Sequence, residues 1–187
     1  MEEEIQLYLD EAKDLMNKAV QHCSGEFVKI RAGKAMPNML DGLMVDYYGS
    51  PTPISQVASI NTPDARTLVV KPWEKKLIGE IEKAIINSDL GLNPQNDGEL
   101  VRLNIPPLTE ERRKNLMKQV RAEAENGKIS IRNIRKESNE SLRKLLKEGA
   151  SEDNIKRAEE QVQILTSQYT EMIDALVAKK ETEIMTI

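Results

Sequence analysis

Histidine and cysteine each occur once, as His22 and Cys23. One cysteine excludes an internal disulfide and a cysteine-rich metal centre, and it fits a reducing cytosol. Any Ser-His-Asp or Cys-His arrangement would have to use His22. On a helix, two adjacent residues point about 100° apart, so His22 and Cys23 cannot act together as base and nucleophile. His22 reads as a residue at the edge of a core. Aromatic residues make up 3% of the chain, so the core must be aliphatic, and the interleaved aromatics of single-strand binders are missing. No run approaches the ~20 apolar residues of a membrane span, and the acidic opening Met1-Glu2-Glu3-Glu4 does not read as a signal peptide. Residues 91–98, Gly-Leu-Asn-Pro-Gln-Asn-Asp-Gly, lack the Lys-Ser/Thr ending of a phosphate-binding loop. With carboxylates spread over solvated helix faces, no catalytic constellation emerges. The expectation is a cytoplasmic protein that is not an enzyme and holds neither cofactor nor metal.

What is abundant is charge and helical spacing. Asp, Glu, Lys and Arg account for 31% of 187 residues, with a net charge of −4, so contact with a polyanion must be local. Ile5, Leu9, Ala12, Met16, Ala19 and Cys23 step by four and three, Phe27 and Ile30 continue that face, and no proline interrupts 2–33. At 1.5 Å per residue this is a rod of ~45 Å. A second helix starts after Thr109, a candidate N-cap followed by Glu110 and Glu111, and runs to about Lys147. Gly149 ends it, and Ser151 is the expected cap of a third helix, in which Ile155, Ala158, Val162, Leu165, Tyr169, Met172 and Leu176 keep one face. Three such rods predict a bundle.

All eight prolines lie between Gly33 and Pro107. Alternation over Leu43–Tyr48, a turn at 49–53, strands at 54–60 and 67–71, a helix over 73–87, a loop at 89–94 and a strand at 100–105 predict a small inserted domain. The predicted fold class is α+β: a three-helix bundle of residues 1–32 and 107–187, with an insert at 33–106. Because the insert leaves and re-enters the bundle at neighbouring points, a hinge is expected at Arg31, Ala32, Gly33, Lys34, Ile105, Pro106 and Pro107.

The distribution of charge is uneven. Between Arg112 and Lys147 there are twelve Lys or Arg and four Glu, a local charge of +8. In helical projection Lys114, Lys118, Arg121, Lys128, Arg132, Arg135, Lys136 and Arg143 share one stripe, with Glu125 as its only acid. Leu116, Val120, Ile131, Ile134, Leu142 and Leu145 share the next. Arg132 and Arg135 have no acid four residues before them, so pairing at the usual helical spacing does not neutralise the stripe. Its cations face either acids of the other helices or an external polyanion, and spacing alone leaves these two level. Without a major-groove reader, structured RNA fits better than DNA.

Five motifs then occur in order: Lys29-Ile30-Arg31-Ala32-Gly33-Lys34-Ala35, Tyr47-Tyr48-Gly49-Ser50-Pro51-Thr52-Pro53, Ser88-Asp89-Leu90-Gly91-Leu92-Asn93-Pro94, Pro106-Pro107-Leu108-Thr109-Glu110-Glu111-Arg112-Arg113-Lys114 and Ile131-Arg132-Asn133-Ile134-Arg135-Lys136. Over its whole length the chain resembles the bacterial-type ribosome recycling factors. The resemblance implies a bundle with an inserted β/α/β domain in an L shape. It implies a monomer that binds the post-termination ribosome between its subunits, touches large-subunit ribosomal RNA, and acts with elongation factor G, whose GTP hydrolysis drives splitting. It implies RNA contact by Arg132 and Arg135, with Arg31 close by. The helical projection adds Arg112, Arg113, Arg121 and Lys128. Two other readings remain: a coiled-coil module for a protein partner, and a general RNA-binding protein.

Overall fold

In the computed structural model, which describes residues 1–31 and 33–186, the chain forms two compact units. One comprises Met1–Ala32 with Glu110–Thr186, the other Gly33–Thr109. Residues 107–109, assigned from sequence to the bundle, group with the smaller unit. Ala32, one of the expected hinge residues, lies outside the described residues.

The larger unit is a bundle of α1 (Glu2–Lys29), α4 (Glu110–Lys147) and α5 (Glu152–Met185). α4 has 38 residues, a rod of about 57 Å. Met1 lies against Gly149 and Cys23 against Gly127, so α1 and α4 run antiparallel. Lys128 meets Asp174 and Arg143 meets Glu159, so α5 is antiparallel to α4 as well. One end of the core holds Leu9, Leu142, Leu145, Ala150, Ile155, Ala158 and Val162. Further along, Met16, Val120, Ile131, Ile173 and Ile184 are fully buried. At Gly127 residues of all three helices meet. A Cβ there would sit 2.9 Å from Ile173 Cδ1 and 3.3 Å from Cys23 Sγ. Burial of Cys23 raises its thiol pKa, first by desolvation and then through Glu123.

Gly149 closes α4 as expected. At φ +103 it allows Ala150 N–H to reach Leu145 O at 3.0 Å and Gly149 N–H to reach Leu146 O at 3.2 Å, a Schellman closure. Three other expectations change. Ser151 stands at the N-cap of α5, but its hydroxyl makes no capping bond; its backbone carbonyl accepts Ile155 N–H at 3.0 Å. Thr166 and Ile173, not Leu165 and Met172, are the buried residues of their turns, and Met172 is 47% exposed. Steps of 3.6 drift off a strict heptad, and Thr166 enters the core because its hydroxyl bonds Val162 O at 2.8 Å. His22 is exposed rather than at the edge of the core.

The smaller unit has a β1–β2 ribbon and a four-stranded antiparallel sheet in the order β3-β4-β6-β5. Its strands are β1 (Met44–Tyr47), β2 (Ser50–Pro53), β3 (Ala58–Asp64), β4 (Thr67–Pro72), β5 (Pro94–Asn96) and β6 (Val101–Asn104), with α2 (Ile54–Val57) and α3 (Ile78–Ile86) between them. Residues 50–53, expected in a turn, are therefore a strand. The turn is only Tyr48 (φ 50) and Gly49 (φ 86), the two positive-φ residues of a type I′ hairpin. With Tyr47 opposite Ser50, Pro51 faces Asp46 and Pro53 faces Met44. These are the non-hydrogen-bonded pairs of the ladder, where a missing N–H costs nothing.

Residues 54–57 form one helical turn instead of the start of a strand, because Ile54 and Val57, three apart, both enter the core. Trp73, expected to open a helix, instead lies in a bend after β4, with its N–H on Val57 O at 3.1 Å. β5 falls at the end of the expected 89–94 loop; it is three residues long, too short for an alternation signal. Leu68, Val70, Ile81, Ile85, Val101 and Leu103 are fully buried between the sheet and α3. At the β3–β4 turn, Asp64 accepts bonds from Arg66 N–H and the Thr67 hydroxyl, which lower its pKa.

Gly127→Val should overpack the crossing of the three helices and lower stability by about 1–3 kcal/mol, read from urea unfolding. Gly127→Ala should cost less, because the Ile173 tip can turn away and alanine favours the helix by about 1 kcal/mol.

Candidate nucleic-acid interface on helix α4

The basic stripe is laid out along one rigid helix, so its geometry follows from the residue spacing once the packed side of α4 is known. Leu116, Val120, Ile131, Leu142 and Leu145 are buried as the projection required, and Ile134 is half-buried. Met117, Ala124 and Gly127 join the buried side. That leaves the stripe along the α5 seam and on the open face beside it.

Four of the eight stripe cations have carboxylate partners. Lys114 pairs with Glu110 at 3.2 Å within the first turn. Lys128 reaches Asp174 of α5 at 2.6 Å. Arg143 reaches Glu159 of α5 at 3.0 Å. Arg132 donates from Nη2 to Glu125 Oε1. Pairing within the helix therefore does reach Arg132, though not at the usual spacing of four: residues seven apart lie two turns along the same face, and both side chains are long enough to span the gap. Among the described residues, Lys118, Arg121, Arg135 and Lys136 have no carboxylate partner. Arg135 is half-buried, with one long bond from Nη1 to Gln163 Oε1 at 3.4 Å. The alternatives left level by spacing thus divide the stripe between them. The seam facing α5 is partly neutralised, and the open face keeps positive charge.

The seven expected RNA-contacting residues fall into two groups. Arg121, Lys128, Arg132 and Arg135 lie along about 21 Å of α4. Arg112 and Arg113 open the same helix, Arg112 exposed and Arg113 half-buried. Arg31 is exposed just beyond the end of α1. Since α1 runs antiparallel to α4, its end at Lys29 lies about 9 Å past the Cys23–Gly127 crossing, on the N-terminal side of α4. Arg31 therefore lies roughly level with Arg121, on the opposite side of the crossing from Arg132 and about 10 Å short of Arg112 and Arg113. The remaining expected hinge residues have simple local settings. Gly33, at φ +71, lies so close to Leu108 that a Cβ would come 2.7 Å from its Cγ. Lys34 is half-buried, and Pro106 and Pro107 are exposed. Ile105 is buried and donates its N–H to Arg66 O at 2.7 Å.

Sequence reasoning missed Asp174, Glu159 and Gln163, the α5 side of the seam. Nothing in the local pattern of α4 points to them. Among the described residues there is no group of three or more His, Cys, Asp or Glu side chains placed to hold a metal ion, and no helix long and apolar enough to cross a membrane.

If the seam pair carries packing energy and the open-face cations do not, two variants separate them. Lys128→Met should lower the unfolding free energy by at most about 1 kcal/mol, whereas Arg121→Ala should leave it within about 0.5 kcal/mol, both by chemical denaturation.

Comparison with known proteins places this geometry in a family. A family model described as ribosome recycling factor matches residues 23–185. The chain is 62% identical over 185 residues to the ribosome-recycling factor of Amoebophilus asiaticus, covering 99% of this chain and all of that one. It is 58% identical over 185 residues to that of Cytophaga hutchinsonii, with the same coverage. Among solved structures, a solution structure of a ribosome recycling factor matches with a TM-score of 0.70 at 38% identity, over 98% of each chain. The T. thermophilus factor, in models that place it with E. coli elongation factor G on the E. coli post-termination complex, matches with a TM-score of 0.60 at 45% identity, over 97% of this chain and 98% of that one. The chain belongs to the ribosome recycling factor family.

Proposed function

We propose that this protein binds the post-termination ribosome between its subunits and, with elongation factor G, splits it for a new round of translation. The observation that carries this reading is the full-length likeness to the T. thermophilus factor, placed on that complex together with elongation factor G. The chemistry of α4 supports it. Among the described residues Arg135 lacks a carboxylate partner and Arg132 engages one of its five N–H donors, and both stand on a rod stiffened by burial against α1 and α5. A guanidinium in that position can fork onto backbone phosphates, and a row of them recognises a folded RNA by shape. In this reading Arg132 and Arg135 grip large-subunit ribosomal RNA, with Arg121 and Lys128 beside them and Arg31 near the level of Arg121, while Arg112 and Arg113 extend the row at the start of α4. GTP hydrolysis belongs to elongation factor G, and this chain contributes binding and leverage through the segments 31–34 and 105–107. It acts as a monomer in the cytoplasm, with no cofactor of its own.

The direct test is polysome breakdown with elongation factor G and GTP. Subunits should accumulate only when this protein is added; unchanged polysomes would refute the reading. Sedimentation separates the rivals: a monomer that travels with ribosomes at low salt and is released at high salt supports recycling. An oligomer that ignores ribosomes supports a coiled-coil module, and release by bulk structured RNA supports a general RNA binder.

Arg135→Ala should keep the thermal midpoint and weaken binding to isolated large subunits by about 1–3 kcal/mol. It should also flatten the dependence of log K on log salt by nearly one unit. Normal affinity in the folded variant would remove Arg135 from the interface.

A further inference from the structure

Glu125 is the only acid on the basic stripe of α4, and it sits on Arg132. Its carboxylate accepts from Arg132 Nη2, with Glu125 56% and Arg132 49% exposed. Neither side chain has another hydrogen bond or ion pair among the described residues. The pair therefore does not tie helices together, unlike Lys128–Asp174 and Arg143–Glu159, which cross from α4 to α5. An exposed pair within one long helix adds little to folding, so the fold does not explain why an acid stands there. Electrostatically its position is unfavourable for a polyanion. A phosphate approaching Arg132 meets a carboxylate already bound to the same guanidinium, and has either to displace it or to sit beside a like charge.

We propose that Glu125 competes with RNA phosphate for Arg132 and so limits the affinity of α4 for RNA, which keeps binding reversible and penalises RNA that cannot engage the neighbouring cations at the same time. This rests on the reading of α4 as a ribosomal RNA interface and names the residue that tunes it. Competition follows from the shared donor. While Nη2 is held by Glu125, the guanidinium offers phosphate a partly neutralised fork; once the carboxylate is displaced, the whole fork is available. A factor that must leave the large subunit after each cycle gains from such an internal competitor, because the carboxylate remains within reach to take Arg132 back.

The experiment measures binding of the wild type, Glu125→Gln, Arg132→Ala and the double variant to purified large ribosomal subunits over a range of salt, with thermal midpoints recorded for all four. Glu125→Gln should bind about two- to fivefold tighter and dissociate more slowly. Its salt dependence should steepen by up to about one unit of log K against log salt, with the midpoint unchanged. In the Arg132→Ala background the same substitution should give no gain. Equal or weaker binding by Glu125→Gln overturns the proposal, and weaker binding would mean that the carboxylate positions Arg132 instead. An equal gain with and without Arg132 also overturns it, since the effect would then be general relief of like charge. If Arg132→Ala alone binds normally, the interface reading fails at that residue, and that outcome is distinct from the other two.

Discussion

The close approach of α1, α4 and α5 at Gly127 is the constraint on which the candidate interface depends. Because no side chain stands there, Ile173 and Cys23 can lie within van der Waals reach of the α4 backbone, a contact tied to the observed register of the three helices. Slippage of α5 against α4 by one turn would move every contact along the seam by about 5.4 Å. It would part Lys128 from Asp174 and Arg143 from Glu159. The contact of a glycine, an isoleucine and a cysteine thus belongs to the same register that brings carboxylates to the seam cations.

The resulting interface is graded. The aliphatic core occupies one side of α4, the partly paired seam borders it, and the open face with Arg121, Arg132 and Lys136 lies beyond. Rigidity and charge come from the same helix, so ordering the cations costs little additional entropy when a ligand is bound. The surrounding chain is acidic, with a net charge of −4 despite the +8 of residues 112–147. This confines attraction for a polyanion to that helix and disfavours binding elsewhere on the surface. Glu125 continues the same pattern at the scale of one side chain.

The smaller unit follows different rules. Its central strands β4 and β6 alternate, as in Val101, Arg102, Leu103 and Asn104, whereas β3 at the sheet edge does not. Its turns are held by carboxylates that accept backbone N–H groups, Asp64 at one end of the sheet and Asp97 at another, and those bonds lower both pKa values. Proline-rich residues 50–53 read as a turn from composition, because proline is scarce in strands. They pair as a strand because both prolines fall on the side of β2 that needs no donor.

Long helices were legible in the sequence because the information is local: a 3.6-residue period, an acidic first turn and a glycine at the close each act within a few residues. The same locality made the basic stripe visible and, through Ile131–Lys136, its family resemblance. The sequence by itself thus determined which residues face inward and which carry charge outward along α4. Only the tertiary structure decided which charges remain available. Asp174 and Glu159 reach Lys128 and Arg143 through the antiparallel register of α5, a relation set by packing between helices and carried by no short-range pattern. Arg31 shows the same limit. Its charge is plain in the chain, but its place across the Gly127 crossing from Arg132 follows from the direction in which two packed helices run.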